Sequence, residues 1–198
     1  MVYMVKGEVH KMAQDQSREK LRMMIVTALF AAIIAVLAQV AIPMPLGVPI
    51  TGQTLAIGLA ATILGMRHGT MSTILYLIIG AIGVPVFAQF SGGLGVIFGP
   101  TGGFLIGFIP TTLFMGYFLE KTSFTLKYAL IANIIGMFIT LFFGTIWLKF
   151  VANLSWPVAF AGGFTPFLIG GFIKAFIAAY VGIIVRERLK SAKLLVAH

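Results

Sequence analysis

The stretch MMIVTALFAAIIAVLAQVAI, residues 23–42, decides the class of this protein, because it contains no charged side chain. About 20 apolar residues in a helix, at 1.5 Å each, cross the ~30 Å hydrocarbon core of a bilayer. The stretch therefore predicts a transmembrane helix. Charge is also absent from residues 23–66, 68–119, 128–148, 150–173 and 175–185. Several further membrane spans are expected there.

The composition of the 198 residues agrees with a membrane protein. Hydrophobic residues make up 60% and charged residues 10%, whereas a soluble domain carries about 25% charged residues. The mean hydropathy is +1.06, which excludes a water-soluble domain. Cysteine is absent, which excludes disulfides, a thiol nucleophile and cysteine-ligated metals.

Turn-forming residues divide the apolar sequence into six predicted helices. We expect an all-α, polytopic membrane protein with three parts: a polar N-terminal segment (1–22), a six-helix transmembrane substrate-binding domain (23–190) and a tail (191–198). The predicted helices cover residues 21–42, 53–66, 70–88, 101–119, 127–152 and 164–188. The stretch Ser91–Gly95 is expected to be a flexible connection.

Basic residues predict the orientation, because cytoplasmic loops carry an excess of Lys and Arg. With six spans, both tails, Arg67 and the connection 120–127 share one side, while 43–52, 89–100 and 153–163 contain neither Lys nor Arg. Both termini are therefore predicted in the cytoplasm. The net charge of +9 is expected to set this orientation and to contact lipid headgroups, not nucleic acid. Residues 1–22 have no apolar core and do not resemble a signal peptide.

The positions of the acidic and histidine residues exclude catalysis within the membrane. Each of them lies in a tail or in a predicted cytoplasmic turn, so no buried acid–base pair, metal cluster or proton relay is available. No phosphate-binding glycine loop is present. We therefore expect no enzyme activity and no bound cofactor or metal. These residues are Glu8, Asp15, Glu19, Glu120, Glu187, His10, His68 and His198.

Lys174 is the one charge predicted deep in the membrane. It precedes Arg186 by twelve residues, or about 18 Å of helix, and a charge near the bilayer centre costs about 2.5–3.5 kcal/mol. No acidic residue is expected at that depth, so an anionic ligand is one candidate partner. The alternatives are snorkelling or a hydrogen bond to carbonyls at a helix break near Gly170-Gly171.

Two further features remain open between a binding and a structural role. Predicted helix 2 is too short for a full span, so residues 43–54 form either the wall or lid of a cavity or a plain tight loop. Small residues recur at helical spacing and favour close approach, either within the protein or, on helix 1, to an external partner. Uncharged polar side chains that can line a cavity or tie helices together are Thr51, Gln53, Thr54, Tyr76, Gln89, Thr101 and Asn133.

Six strings of residues resemble one known family. They are PITGQTLA (49–56), YLIIGAIGVPVFA (76–88), SGGLG (91–95), GPTGGFLIGF (99–108), GTIWL (144–148) and PFLIGGFIK (166–174). In combination they resemble BioY, the biotin-specific substrate-binding subunit (S component) of energy-coupling factor (ECF) transporters. The likeness covers essentially residues 21–190.

This resemblance implies a function and a set of partners. A BioY-like subunit lies in the bacterial cell membrane, captures biotin from outside and delivers it inward. It docks on a transmembrane coupling subunit (T component) that carries two cytoplasmic ATPases, and these subunits use the ATP. The alternatives are an S component for another small anionic vitamin, or a membrane scaffold that transports nothing.

The resemblance also implies roles for individual residues. Lys174 is expected near the biotin carboxylate, although Gly171 stands where the family commonly has Asp. Gln89 is expected as an additional polar contact. The substrate-binding set is Lys174, Gln53, Thr51, Tyr76, Phe87, Gln89, Phe90, Thr101 and Phe164, of which Gln53, Tyr76 and Thr101 suit the ureido ring and the phenylalanines suit the apolar parts. The partner-docking set is Ala28, Ala31, Ala32 and Ala35.

Overall fold

A computed structural model describes residues 2–192 and 194–195, and this part of the chain is almost entirely helical. Its only strands form a two-stranded antiparallel pair, β1 (Ala41–Ile42) and β2 (Ile50–Thr51), with Ala41 opposite Thr51. The all-α prediction is confirmed. The helices are α1 (Val2–Ala38), α2 (Gln53–Ala81), α3 (Leu94–Phe98), α4 (Gly102–Lys121), α5 (Leu126–Val151), α6 (Trp156–Gly163) and α7 (Phe167–Ser191).

Helical segments long and apolar enough to cross a membrane are found in four places within the described residues. They are Gln16–Ala38, Gly102–Lys121, Leu126–Val151 and Trp156–Ser191. Many large apolar side chains on α1, α5 and α7 are exposed, Val36, Phe142 and Ile169 among them. Apolar helix faces of this kind suit contact with lipid.

Helix α2 turns back on itself at Gly65, where φ is 77° and ψ is −167°. Gln53 donates a hydrogen bond to the Tyr76 hydroxyl 23 residues later, whereas a straight helix would separate these residues by about 35 Å. A Cβ atom on Gly69 would lie 3.0 Å from the Ala60 carbonyl oxygen. Thus α2 is a helical hairpin. Its turn lies two residues before the predicted break at Arg67-His68-Gly69.

Several predicted boundaries were wrong. Helix α1 begins far before residue 21, since no Gly or Pro interrupts residues 8–42. It ends at Ala38, because residues 41–42 pair with β2. The second half of α2 ends at Ala81, not at 88. The stretch 91–95 was expected to be flexible but includes the start of α3. In the predicted tail 191–198, residues 193 and 196–198 lie outside the described residues.

The short helix α6 was missed by the sequence analysis. It precedes the predicted start of the last span at residue 164, and Pro166 caps the start of α7. Helix α7 continues without a break through Gly170 and Gly171. A break at these glycines was one of the alternatives considered for Lys174, and it is absent.

The helices pack closely where glycine replaces a side chain. Gly103 lies against Trp147, and Gly107 lies against Phe143, so α4 and α5 approach each other along this stripe. The glycine spacing on α4 therefore serves packing within the protein. Buried apolar side chains of α1, α2 and α4, including Ile34, Ile57 and Phe108, form one core cluster.

Candidate ligand-binding site

A cavity of about 280 Å³ lies among α2, α4, α5 and α7, close to the lower end of the range for small-molecule pockets. Three further segments complete its wall: the first loop (residues 39–52), the second loop (residues 82–93) and residues 95–101, which include most of α3. The interpretation of residues 43–54 as a cavity wall is therefore confirmed. Six predicted binding residues line the cavity: Thr51, Gln53, Phe87, Gln89, Thr101 and Lys174.

Lys174 reaches the cavity from α7 and crosses to the first loop. Its ammonium donates a hydrogen bond to the Thr51 carbonyl oxygen at 3.0 Å. Among the side chains that the structure describes, no acidic group pairs with it. An ammonium has three N–H donors, and one carbonyl leaves its charge unneutralised. An anionic group in the cavity would complete its bonding.

Three polar side chains form a chain of hydrogen bonds beside Lys174. The Thr51 hydroxyl donates to Gln53 Oε1 at 2.9 Å, and the Gln53 amide nitrogen donates to the Tyr76 hydroxyl. Tyr76 is 1% exposed and lies behind Gln53, outside the cavity wall. Contact of Tyr76 with a ligand stays a prediction, and in this structure its hydroxyl accepts the Gln53 amide and orients that side chain.

The aromatic wall differs from the predicted one. Phe87 lines the cavity and packs edge-on against Tyr76, with ring centroids 5.5 Å apart. Phe90 is 72% exposed, and Phe164 packs against other phenylalanines, so neither lines the cavity. The sequence analysis missed three wall residues, Phe104, Phe108 and Phe167. Gly103 and Gly107, which directly precede Phe104 and Phe108 and let α4 pack closely, were the sequence signal that could have indicated the first two.

The inner end of the cavity carries uncharged polar groups. Asn133 donates hydrogen bonds to the Thr62 hydroxyl at 3.0 Å and to the Ala129 carbonyl at 2.8 Å. The hydroxyls of Thr111 and Thr140 are 2.8 Å apart. Asn133, Thr111 and Thr140 also line the cavity. These groups connect helices and make the inner wall polar.

Gly171 of α7 has no side chain, and the Met137 side chain of α5 packs directly against it. A Cβ atom at this position would lie 2.4 Å from Met137 Sδ. There is no room for a carboxylate side chain here unless Met137 moves. The absence of Asp at position 171 is therefore matched by the packing around it, and Lys174 is the charged residue of the wall.

The predicted docking residues of α1 separate into two stripes. Ala28 and Ala32 are exposed, as an external contact requires, and Ala35 is half-buried. Ala31 is 3% exposed and belongs to a core cluster. The assignment of Ala31 to a docking surface is corrected, since it faces the other helices.

No group of three or more His, Cys, Asp or Glu residues that could hold a metal occurs in the described part of the chain. The chemistry of the cavity is that of a binding site: one cation, amides and hydroxyls, and aromatic walls. It suits a small molecule with an anionic group, a neutral polar group and an apolar body.

Similar proteins agree with this chemistry. The chain is 43% identical over 164 residues to the biotin transporter BioY2 of Lactococcus lactis subsp. cremoris (strain MG1363), covering 83% of this chain and 90% of the relative. It is 36% identical to the biotin transporter BioY of Thermotoga maritima, covering 82% and 95%.

A solved structure has the same fold. The crystal structure at 2.1 Å of the S-component for biotin from an ECF-type ABC transporter matches with a TM-score of 0.79 and 30% sequence identity. The match covers 86% of this chain and 93% of that chain. The BioY family model matches residues 10–191. The chain therefore belongs to the BioY family.

Proposed function

We propose that this protein is the biotin-binding S component of an ECF-type ABC uptake transporter. The observation that carries the proposal is Lys174, a cation without an acidic partner in the wall of a small cavity. Biotin is a carboxylate joined by an apolar chain to a neutral ureido ring, which matches this wall. The relatives are named biotin transporters, so the chain is a transport component and not an enzyme.

Each part of biotin has suitable groups in the cavity. Lys174 binds the carboxylate by a charge-assisted hydrogen bond. Gln53, Gln89 and Thr101 supply donors and acceptors for the ureido ring. The apolar parts pack against phenylalanines, namely Phe87, Phe104, Phe108 and Phe167.

We further propose six membrane spans: α1, the two halves of α2, α4, α5 and α7. Antiparallel packing of the two α2 halves supports this count. The α2 turn and the α4–α5 connection carry Arg67, Lys121 and Lys127, whereas both cavity loops lack Lys and Arg. By the positive-inside rule, both termini are cytoplasmic and the cavity opens outward, in a bacterial cell membrane.

The partners of this S component are a transmembrane coupling subunit and two cytoplasmic ATPases. The exposed Ala28 and Ala32 form a stripe without bulky side chains on α1, which suits close approach of another helix. The ATPases consume the ATP, so this chain needs no cofactor of its own. It captures biotin, and the coupled module drives its inward delivery.

Equilibrium binding of biotin to the purified protein in detergent tests this proposal. We expect Lys174→Ala to weaken binding about 10–100-fold, the worth of a charge-assisted hydrogen bond. Lys149→Ala is the matched control, since Lys149 stacks on Phe150 and Trp156 away from the cavity. Failure of the wild type to bind biotin would contradict the proposed function. Equal affinity of Lys174→Ala and wild type would contradict the role of Lys174.

Competition binding tests the alternative that the protein binds a vitamin other than biotin. Thiamine, riboflavin and lipoate are added at excess over bound biotin. We expect none of them to displace it, because none combines a ureido ring with a carboxylate chain of this length. Displacement by lipoate alone would show that the cavity selects the carboxylate chain and not the ureido ring.

A further inference from the structure

Gln39 directly follows the last residue of α1, and its side chain bonds to the second loop. Its Nε2 donates to the carbonyl oxygens of Val86 at 3.2 Å and Phe87 at 3.1 Å. Its Oε1 accepts the Phe90 backbone N–H at 2.9 Å. Nε2 also lies 3.0 Å from the Ala35 carbonyl, within α1. One amide thus contacts three backbone groups of residues 86–90, and its two N–H groups are shared among the carbonyls of Ala35, Val86 and Phe87.

The backbone that Gln39 holds is strained. Gln89 and Phe90 have φ angles of 58° and 54°, a left-handed conformation that non-glycine residues rarely adopt. Such strain persists only where surrounding contacts enforce it. Within the described residues, the side-chain hydrogen bonds to residues 86–90 come from Gln39 and from Ser91 of the same loop, so Gln39 supplies those that come from outside this loop.

Residues 86–90 form part of the cavity wall, through Phe87, Ala88 and Gln89. Their geometry therefore sets the shape of one side of the site. The first loop is closed just beyond the end of α1, because the Val40 carbonyl accepts the Gly52 N–H at 2.9 Å. Both cavity loops are thus hydrogen-bonded to residues 39 and 40, which directly follow α1.

We propose that Gln39 is a positioning residue for ligand capture, which holds residues 86–90 in the conformation that binds the ligand. The ligand is biotin if the proposed function holds, so the inference rests on that function. When Gln39 is lost, the strained loop occupies other conformations for part of the time. The apparent Kd then rises by the factor by which the competent population falls.

Gln39→Met tests the proposal, since methionine keeps the side-chain length but removes both amide functions. The matched control is Gln16→Met, at an exposed position of α1, the helix that Gln39 follows. The measurements are the biotin Kd by titration calorimetry and amide hydrogen exchange of the second loop. We expect about tenfold weaker binding in Gln39→Met, with faster exchange at Phe90. The control should equal the wild type.

Exchange in the presence of biotin separates positioning from general stabilisation. In Gln39→Met, saturating biotin should restore protection of residues 86–90, while exchange of α4 and α5 stays at wild-type rates. Faster exchange throughout the protein would show a structural role and overturn the proposal. Wild-type values for both Kd and loop exchange would overturn it as well.

A second variant covers failure of Gln39→Met to fold. Gln39→Glu keeps the acceptor for the Phe90 N–H but loses both donors to Val86 and Phe87, so we expect weaker binding here too. Unchanged affinity in this variant would overturn the proposal. If the wild type does not bind biotin, the proposed function fails. The exchange of residues 86–90 in the free variants still decides the role of Gln39 in holding the loop.

Discussion

The two ends of the helical bundle use their polar groups in opposite ways. At the Gly65 end, the Glu120 carboxylate accepts the Met66 N–H at 2.7 Å. Arg186 donates to the Ile63 carbonyl, and its guanidinium lies 3.4 Å from the Phe124 ring centroid. At the opposite end, irregular loops surround a cavity.

This difference separates stability from binding. Charged groups at the Gly65 end are used by backbone groups and a ring of the same chain, which closes the hairpin turn of α2. The cation at the cavity end, Lys174, has one carbonyl partner. Substitutions at the Gly65 end should therefore change the free energy of unfolding, and those at the cavity end should change affinity.

The largest effect on stability is expected for Arg186→Met. Arg186 is 4% exposed. Its loss leaves the Ile63 carbonyl without this hydrogen-bond donor and removes a positive charge near Glu120. We expect the free energy of unfolding to fall by about 2–4 kcal/mol, measured by denaturant unfolding in detergent. The biotin Kd of the folded fraction should not change. Arg188→Met, at an exposed neighbouring position, is the control. A loss of affinity without loss of stability in Arg186→Met would contradict the assignment of the Gly65 end to stability.

A smaller loss of stability is expected for Gly65→Ala. The backbone there has φ 77° and ψ −167°, a region essentially restricted to glycine, so strain costs about 1–3 kcal/mol. A Cβ would also lie 2.4 Å from Glu120 Oε1. Gly170→Ala is the control, since nothing lies within 4 Å of its added Cβ. Thermal unfolding of both variants measures the difference. Equal melting temperatures would contradict this explanation of the turn.

The smallest effect is expected at the cavity end, for Tyr76→Phe. The ring remains packed against Phe87 while the acceptor for the Gln53 amide is lost. One hydrogen bond is worth about 0.5–1.5 kcal/mol, so biotin affinity should fall about two- to tenfold. Tyr180→Phe, at a position 51% exposed, is the control. Isothermal titration gives both values. Unchanged affinity together with lower stability would show that Tyr76 stabilises the fold and does not contribute to binding.

The confirmed predictions depended on the composition of whole stretches of sequence or on short local motifs. The absence of charge over long stretches predicted an all-helical membrane protein, because hydrocarbon excludes unpaired polar groups whatever the topology. The charge of Lys174 stood out for the same reason. The break in α2 was visible as Arg67-His68-Gly69, close to the actual turn at Gly65.

Apart from helix boundaries and the missed α6, the assignments that differ from the structure concerned which side of an element faces a neighbour. Ala31 and Ala32 are adjacent in sequence, yet one is in the core and the other is exposed. Phe90 was expected in the wall and is outside it, while Phe104 was not expected there and lines it. In a lipid-facing protein both faces of a helix are apolar, so the hydrophobic pattern carries little information about orientation.

The sequence by itself determined that this protein lies in a membrane, that it is helical and which polar and charged side chains are available to bind a ligand. These properties depend only on which residues are present. The tertiary structure decided which of those residues meet. Thr51 and Lys174 are 123 residues apart and share a hydrogen bond. Gln39 reaches a loop nearly 50 residues further along. Such contacts follow from the packing of whole helices, to which no local pattern of residues is sensitive.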